Sequence, residues 1–132
     1  MTDLGKPQPN PNAALRPTVM LVAALLTLGL FVVGGNPEAS RLFPGPSHWI
    51  AHLGAYALIA AAYARALPRL ATLAVAALVA LIGIAHEYYE IQSHSHGFEY
   101  SDAIVNGLGA LVGSLAARGE MRQRPTLGEP GD

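Results

Sequence analysis

Two uncharged apolar runs decide most of what this chain can fold into. Residues 17–33 read PTVMLVAALLTLGLFVV and residues 70–85 read LATLAVAALVALIGIA, neither interrupted by a charge. A helix needs roughly 20 apolar residues to cross about 30 Å of hydrocarbon, and both runs approach that length. A helix lying on a soluble core would bring polar residues round at a 3.6-residue period. These runs do not, so they predict helices embedded in lipid. Composition agrees: 52% of the 132 residues are hydrophobic and only 13% are charged.

Residues 48–66 and 102–117 are less pure, each polar near its N-terminal end and apolar beyond it. Counting all four gives an all-α fold, an integral membrane bundle of four transmembrane helices over residues 17–118. Residues 1–16 and 119–132 are left as disordered tails, the first of them rich in Pro and Asn. A signal peptide is the competing reading of the first run. That run exceeds the usual h-region of about 7–15 residues and no clear A-x-A site ends it, which favours a retained helix.

Basic residues favour the cytoplasmic side of short loops. Lys6 and Arg16 precede the first helix, Arg65 and Arg69 separate the second from the third, and Arg118, Arg122 and Arg124 follow the fourth. Arg41 alone falls between the first and second, and none between the third and fourth. Both termini are therefore expected in the cytoplasm. The start of the second helix, the end of the third and the start of the fourth then converge on the outer face.

That convergence gives meaning to residues 86–102, HEYYEIQSHSHGFEYSD, where four carboxylates and three histidines crowd into seventeen positions. On the second helix His48, His52 and Tyr56 are four apart and share a face. On the third, His86 and Glu90 share a face, with Glu87 beside them. On the fourth, Asp102 and Asn106 are followed by Gly109 and Gly113, a G-x-x-x-G pair that lets a neighbouring helix approach closely. Ser101 is placed as an N-cap, with Asp102 in the first turn at the positive end of the helix dipole. A carboxylate at the end of an apolar run must be paired, protonated or exposed to a watery cleft, and His52 is the expected partner of Glu87.

The metal question stays open at this level. HEYYE ends in Glu90 where the zincin signature H-E-x-x-H needs histidine. His94 and His96 alternate as many exposed pairs do. A His/Glu/Asp set suits Zn²⁺ and a carboxylate-rich one Mg²⁺ or Ca²⁺, so a divalent metal is an option without being required. Phosphate-loop, nucleophile-elbow and nucleotide signatures are missing. There is no cysteine and, at a formal net charge of −1, no basic stripe for nucleic acid.

The order His52-x-x-x-Tyr56, then Glu87, then Ser101-Asp102 followed by Asn106, Gly107 and Gly109, resembles the VanZ-like membrane proteins over about residues 48–115. Three positions depart from that pattern. No basic residue stands near His48, Glu90 holds the place of a glutamine with Gln92 two residues late, and His94, His96 and Gly97 occupy the loop where an arginine is usual. The family is named for a protein associated with teicoplanin resistance in Gram-positive bacteria. The resemblance implies a multi-pass protein of the bacterial inner membrane and a cell-envelope context, possession of the fold not by itself transferring resistance.

Two functions are expected from these residues. In the first, an outer-face site binds or modifies a lipid-linked or amphiphilic envelope substrate, or a glycopeptide. Its catalytic residues are His52, Glu87 and Asp102, with Tyr56, Glu90, His96 and Asn106 holding the substrate. In the second, the same polar groups lock the bundle or bind lipid without chemistry. Membrane lipid is the expected partner in either case, and self-association into a homo-oligomer is compatible with both. A proton-coupled carrier would need ionisable groups through the membrane's depth, which the cytoplasmic halves lack.

Overall fold

The computed structural model describes residues 11–94 and 97–123, and all its regular structure is helical. Helix α1 spans Pro11–Gly34, α2 Pro46–Ala66, α3 Thr72–His94 and α4 Tyr100–Gln123, with a short 3-10 turn, Ala39–Leu42, between α1 and α2. The outer helices run further than expected. α1 begins inside the segment assigned to the N-terminal tail, where Pro11 suits the first helical position and Ala13, Ala14 and Leu15 are strong helix formers. α4 continues five residues past the expected boundary at 118.

The α1–α2 connection is shaped by local chemistry. The Glu38 amide donates to Asn36 Oδ1 at 3.0 Å, and Arg41 pairs with Glu38 at 2.9 Å. Gly45 has φ +61°, a conformation that a Cβ would oppose, and Pro46 then opens α2 with its φ already suited to a helix.

The centre of the bundle is the parallel pair α2 and α4. Matching positions follow in the same order down the two helices: His48 with Asp102, His52 with Asn106, Ala57 with Gly113 and Ala64 with Ala117. The glycines set the separation. A Cβ at Gly109 would stand 2.5 Å from the Leu53 carbonyl oxygen, and one at Gly113 would overlap the carbonyl of Ala57. The close approach read from G-x-x-x-G is therefore made against α2.

α3 runs antiparallel to both. Gly83 faces Tyr56 and Asn106, Val79 packs with Ile59, Ala60 and Ala110, and Val75 with Ala64 and Ala117. α1 lies outside this trio. It contributes Leu30 to the core cluster around Tyr56 and edges Phe31 against His86 at a centroid distance of 5.1 Å.

Two helices are long and apolar enough to cross a membrane. Leu15–Gly34 has a mean hydropathy of 2.2 and only 11% of its window is buried; Thr72–Ser93 has 1.5 and 33%. Among the described residues, that measure is met by two of the four expected spans and not by the other two. The reason lies in α2 and α4, whose buried faces carry His52 and Tyr56, and Asp102, Asn106 and Ser114. Their outward faces carry Ile50, Leu53 and Leu58, and Ile104, Leu108, Val112 and Leu115, all exposed. Polar groups inside and apolar groups outside lower a helix-wide average without making the outer surface polar.

Candidate functional site

The polar groups meet at the end of the bundle where α2 and α4 begin and α3 finishes. One turn of α2 separates His48 from His52, and the same rise on α4 separates Asp102 from Asn106, so two parallel rungs form. His48 Nε2 donates to Asp102 Oδ2 at 2.7 Å. One turn deeper, His52 Nδ1 donates to Asn106 Oδ1 at 2.9 Å. The two imidazoles lie 4.4 Å apart between ring centroids. Donation from Nδ1 fixes the neutral His52 as the tautomer with its lone pair on Nε2.

α3 supplies the third wall. His86 is almost wholly buried, and its Nε2 donates to the Leu30 carbonyl of α1 at 3.2 Å while Nδ1 stands 3.6 Å from Glu90 Oε2. Gly34 of α1 makes room for this arrangement, since a Cβ there would collide with the His86 ring and crowd Glu90. Tyr56 is fully buried beneath His52 and His86, about a turn below the rungs. Its hydroxyl has no hydrogen-bond partner among the described residues, and neither has the Asn106 Nδ2 amide.

Glu87 takes a different part from the one its sequence position implies. It is fully buried, and its Oε1 accepts the backbone N–H of Glu99 at 2.8 Å. It thereby ties the end of α3 to the segment that starts α4. Its expected partner, His52, is bonded to Asn106 instead, because α2 packs on α4 along the glycine stripe and brings the amide to the imidazole first. Ser101 is not the cap of α4. The helix begins one residue earlier, at Tyr100, and Ser101 Oγ donates to Asp102 Oδ1 at 3.3 Å.

Beside the rungs opens a cavity of about 760 Å³. His48, His52, His86, Glu90, Glu99 and Asp102 give it polar and ionisable groups. Leu30, Val33, Phe43, Ala51 and Ala55 give it apolar surface. Arg41, from the 3-10 turn, also lines it.

Of the seven residues singled out from sequence, His52, Asp102 and Glu90 line this space. Asn106 and Tyr56 lie behind its wall, Glu87 holds the adjoining segment, and His96 lies outside the described residues. His48, His86, Ser93, Arg41 and Glu99 are further polar residues of the lining that the sequence reading does not assign to the site. For His48 the signal was present in its spacing of four from His52. For Arg41 and Glu99 there was none, because loop residues have no helical period to place them.

No family model, no curated protein and no solved structure matches the chain. The case for function therefore rests on the cavity and its residues.

Proposed function

We propose that this chain is a four-span membrane protein of the VanZ-like kind, whose outer-face cavity holds the headgroup of a lipid-linked or amphiphilic molecule of the bacterial envelope. The observation that carries the reading is the mixed lining, in which imidazoles and carboxylates share one cavity with aliphatic and aromatic side chains. An amphiphile needs both surfaces in one cavity. The exposed leucines, isoleucines and valines on all four helices supply the lipid-facing exterior that this reading requires.

Orientation follows from charge. Arg16, Arg65, Arg69, Arg118 and Arg122 gather at the end of the bundle opposite the cavity, whereas Arg41 stands at the cavity end. The excess of basic residues supports an orientation in which the first end, with both termini, lies in the cytoplasm of the inner membrane. In this proposal His52 and Asp102 face the ligand, Glu90 holds a polar group of it, and Asn106 orients His52. Glu87 keeps the neighbouring segment in place. Teicoplanin resistance is a narrower possibility that the family name raises; the cavity accounts for amphiphile binding without it.

A second reading has its own support. Both rungs join α2 to α4, so the same hydrogen bonds can serve only to hold two helices together in lipid. Mass spectrometry of the protein released from mild detergent separates the two. Amphiphile binding is expected to give a bound lipid that is lost in Ala55→Trp, which fills the cavity and leaves both rungs intact. A bundle that melts normally and retains no ligand in the wild type would favour the second reading. Orientation is tested by Leu42→Cys and Gln123→Cys in this cysteine-free chain, with labelling from outside expected only at position 42.

A further inference from the structure

We infer that His48, His52 and Asp102 form a binding site for one divalent transition-metal ion, with Zn²⁺ the best match. One donor atom from each residue lies within 4.8 Å of the other two. Donors around a tetrahedral zinc at about 2.0–2.2 Å are separated by roughly 3.4 Å. The 2.7 Å contact between His48 Nε2 and Asp102 Oδ2 therefore opens slightly to admit the ion, and the longest separation closes. Side-chain rotation suffices for both changes, because the backbone spacing of the two helices is already fixed by Gly109 and Gly113.

Three further observations favour an ion over a simple pair of hydrogen bonds. His52 donates its Nδ1 proton to a fully buried amide oxygen, which holds the ring and leaves Nε2 as the coordinating atom. Such a partner on the far nitrogen is the usual support of a metal-bound histidine. All three residues line the cavity, so coordination positions not filled by protein open onto it. His48 is the accessible member, its side chain 30% exposed beside an Asp102 that is 3% exposed, which gives the ion a way in. Two imidazoles to one carboxylate suit zinc and its neighbours and disfavour Mg²⁺ and Ca²⁺, which prefer all-oxygen ligation.

The site does not depend on the protein's ligand or on its orientation in a membrane. It is tested on untagged full-length protein in mild detergent, stripped with a chelator and titrated with Co²⁺ as a spectroscopic probe. The expected result is one Co²⁺ per chain, with visible d–d bands of tetrahedral or five-coordinate intensity that Zn²⁺ abolishes. Asp102→Asn keeps an acceptor for His48 and is expected to lose the bands while retaining helical circular dichroism. If that variant does not fold, His48→Gln at the accessible position serves the same purpose. Asn106→Leu, acting through His52, is expected to weaken the ion about 10–100-fold. The double variant His94→Ala/His96→Ala is expected to bind as the wild type does. Featureless spectra in the wild type, bands that persist in folded Asp102→Asn and His48→Gln, or bands lost only with His94 and His96 would each overturn the inference.

Discussion

The two ends of the bundle are held together by different chemistry. At the cavity end, α2 is joined to α4 by side chains bonded to side chains, His48 to Asp102 and His52 to Asn106, while α3 adds His86 and Glu87, each bonded to backbone. At the opposite end, besides the exposed ion pair of Arg65 with Glu120, a side chain bonds to backbone. Arg118 of α4 donates from Nη1 to the Pro68 carbonyl at 2.9 Å and from Nη2 to the carbonyls of Leu67 and Leu70 at 2.9 and 2.6 Å. Those oxygens belong to the turn between α2 and α3, outside both helical ladders. Below that cap, Ala64, Val75 and Ala117 are packed with no exposure at all. The contrast teaches a division of labour. Backbone capping and small-residue packing close one end, and the other keeps a cavity because its polar groups meet one another at side-chain length.

The sharpest way to break that contrast is to disturb what both ends share. Gly113→Leu drives a branched side chain into the Ala57 carbonyl, and overpacking of this kind costs about 3 kcal/mol or more. We expect loss of folded protein, read as the disappearance of the cooperative melt in detergent. Arg118→Met attacks the closed end alone. Hydrogen bonds from a charged donor contribute about 1.5–3 kcal/mol each, though not additively, so a loss of about 2–3 kcal/mol is expected in the melting transition. Ligand and metal binding at the far end should survive it.

His52→Ala attacks the cavity end. Leaving the Asn106 amide oxygen buried without its donor costs about 1–3 kcal/mol, and binding should vanish even where the protein is folded. Equal loss of stability and binding in Arg118→Met and His52→Ala would show that the two ends are not separable. Glu87→Gln keeps an acceptor for the Glu99 amide and should lower stability by no more than about 1 kcal/mol. Hydrogen exchange at Glu99 would then stay slow, whereas Glu87→Ala should speed it. The smallest effect belongs to Glu120→Ala, whose pairing with Arg65 is largely exposed; a change under about 1 kcal/mol is expected.

How far the sequence foretold this follows from what a period can encode. Four-residue spacing placed His48 with His52 and Asp102 with Asn106 on common faces, and the glycine pair announced a close neighbour. Choice of partner was beyond it. Whether His52 meets Glu87 or Asn106 depends on the register of α2 against α4, set by Gly109 and Gly113 on the Leu53–Ala57 backbone. The apolar count of α2 and α4 does not describe their surfaces, because their polar residues turn inward and their hydrocarbon outward. The start of α4 at Tyr100, two residues before the Asp102 start that a Ser101 cap would give, is a local matter, yet it makes Ser101 a hydrogen-bond partner of Asp102 rather than the end of the helix.

The register of α2 and α4 also bears on how the chain is made. His48 and His52 each find their hydrogen-bond partner 54 positions downstream, and the turn after α2 receives its guanidinium from a residue 48 to 51 positions later. During synthesis the α2–α3 hairpin therefore emerges with its polar face unmatched, and only the final helix completes it. A ribosome stalled before α4 would leave the imidazoles of His48 and His52 without Asp102 and Asn106, so the last helix to emerge is the one that closes the polar face.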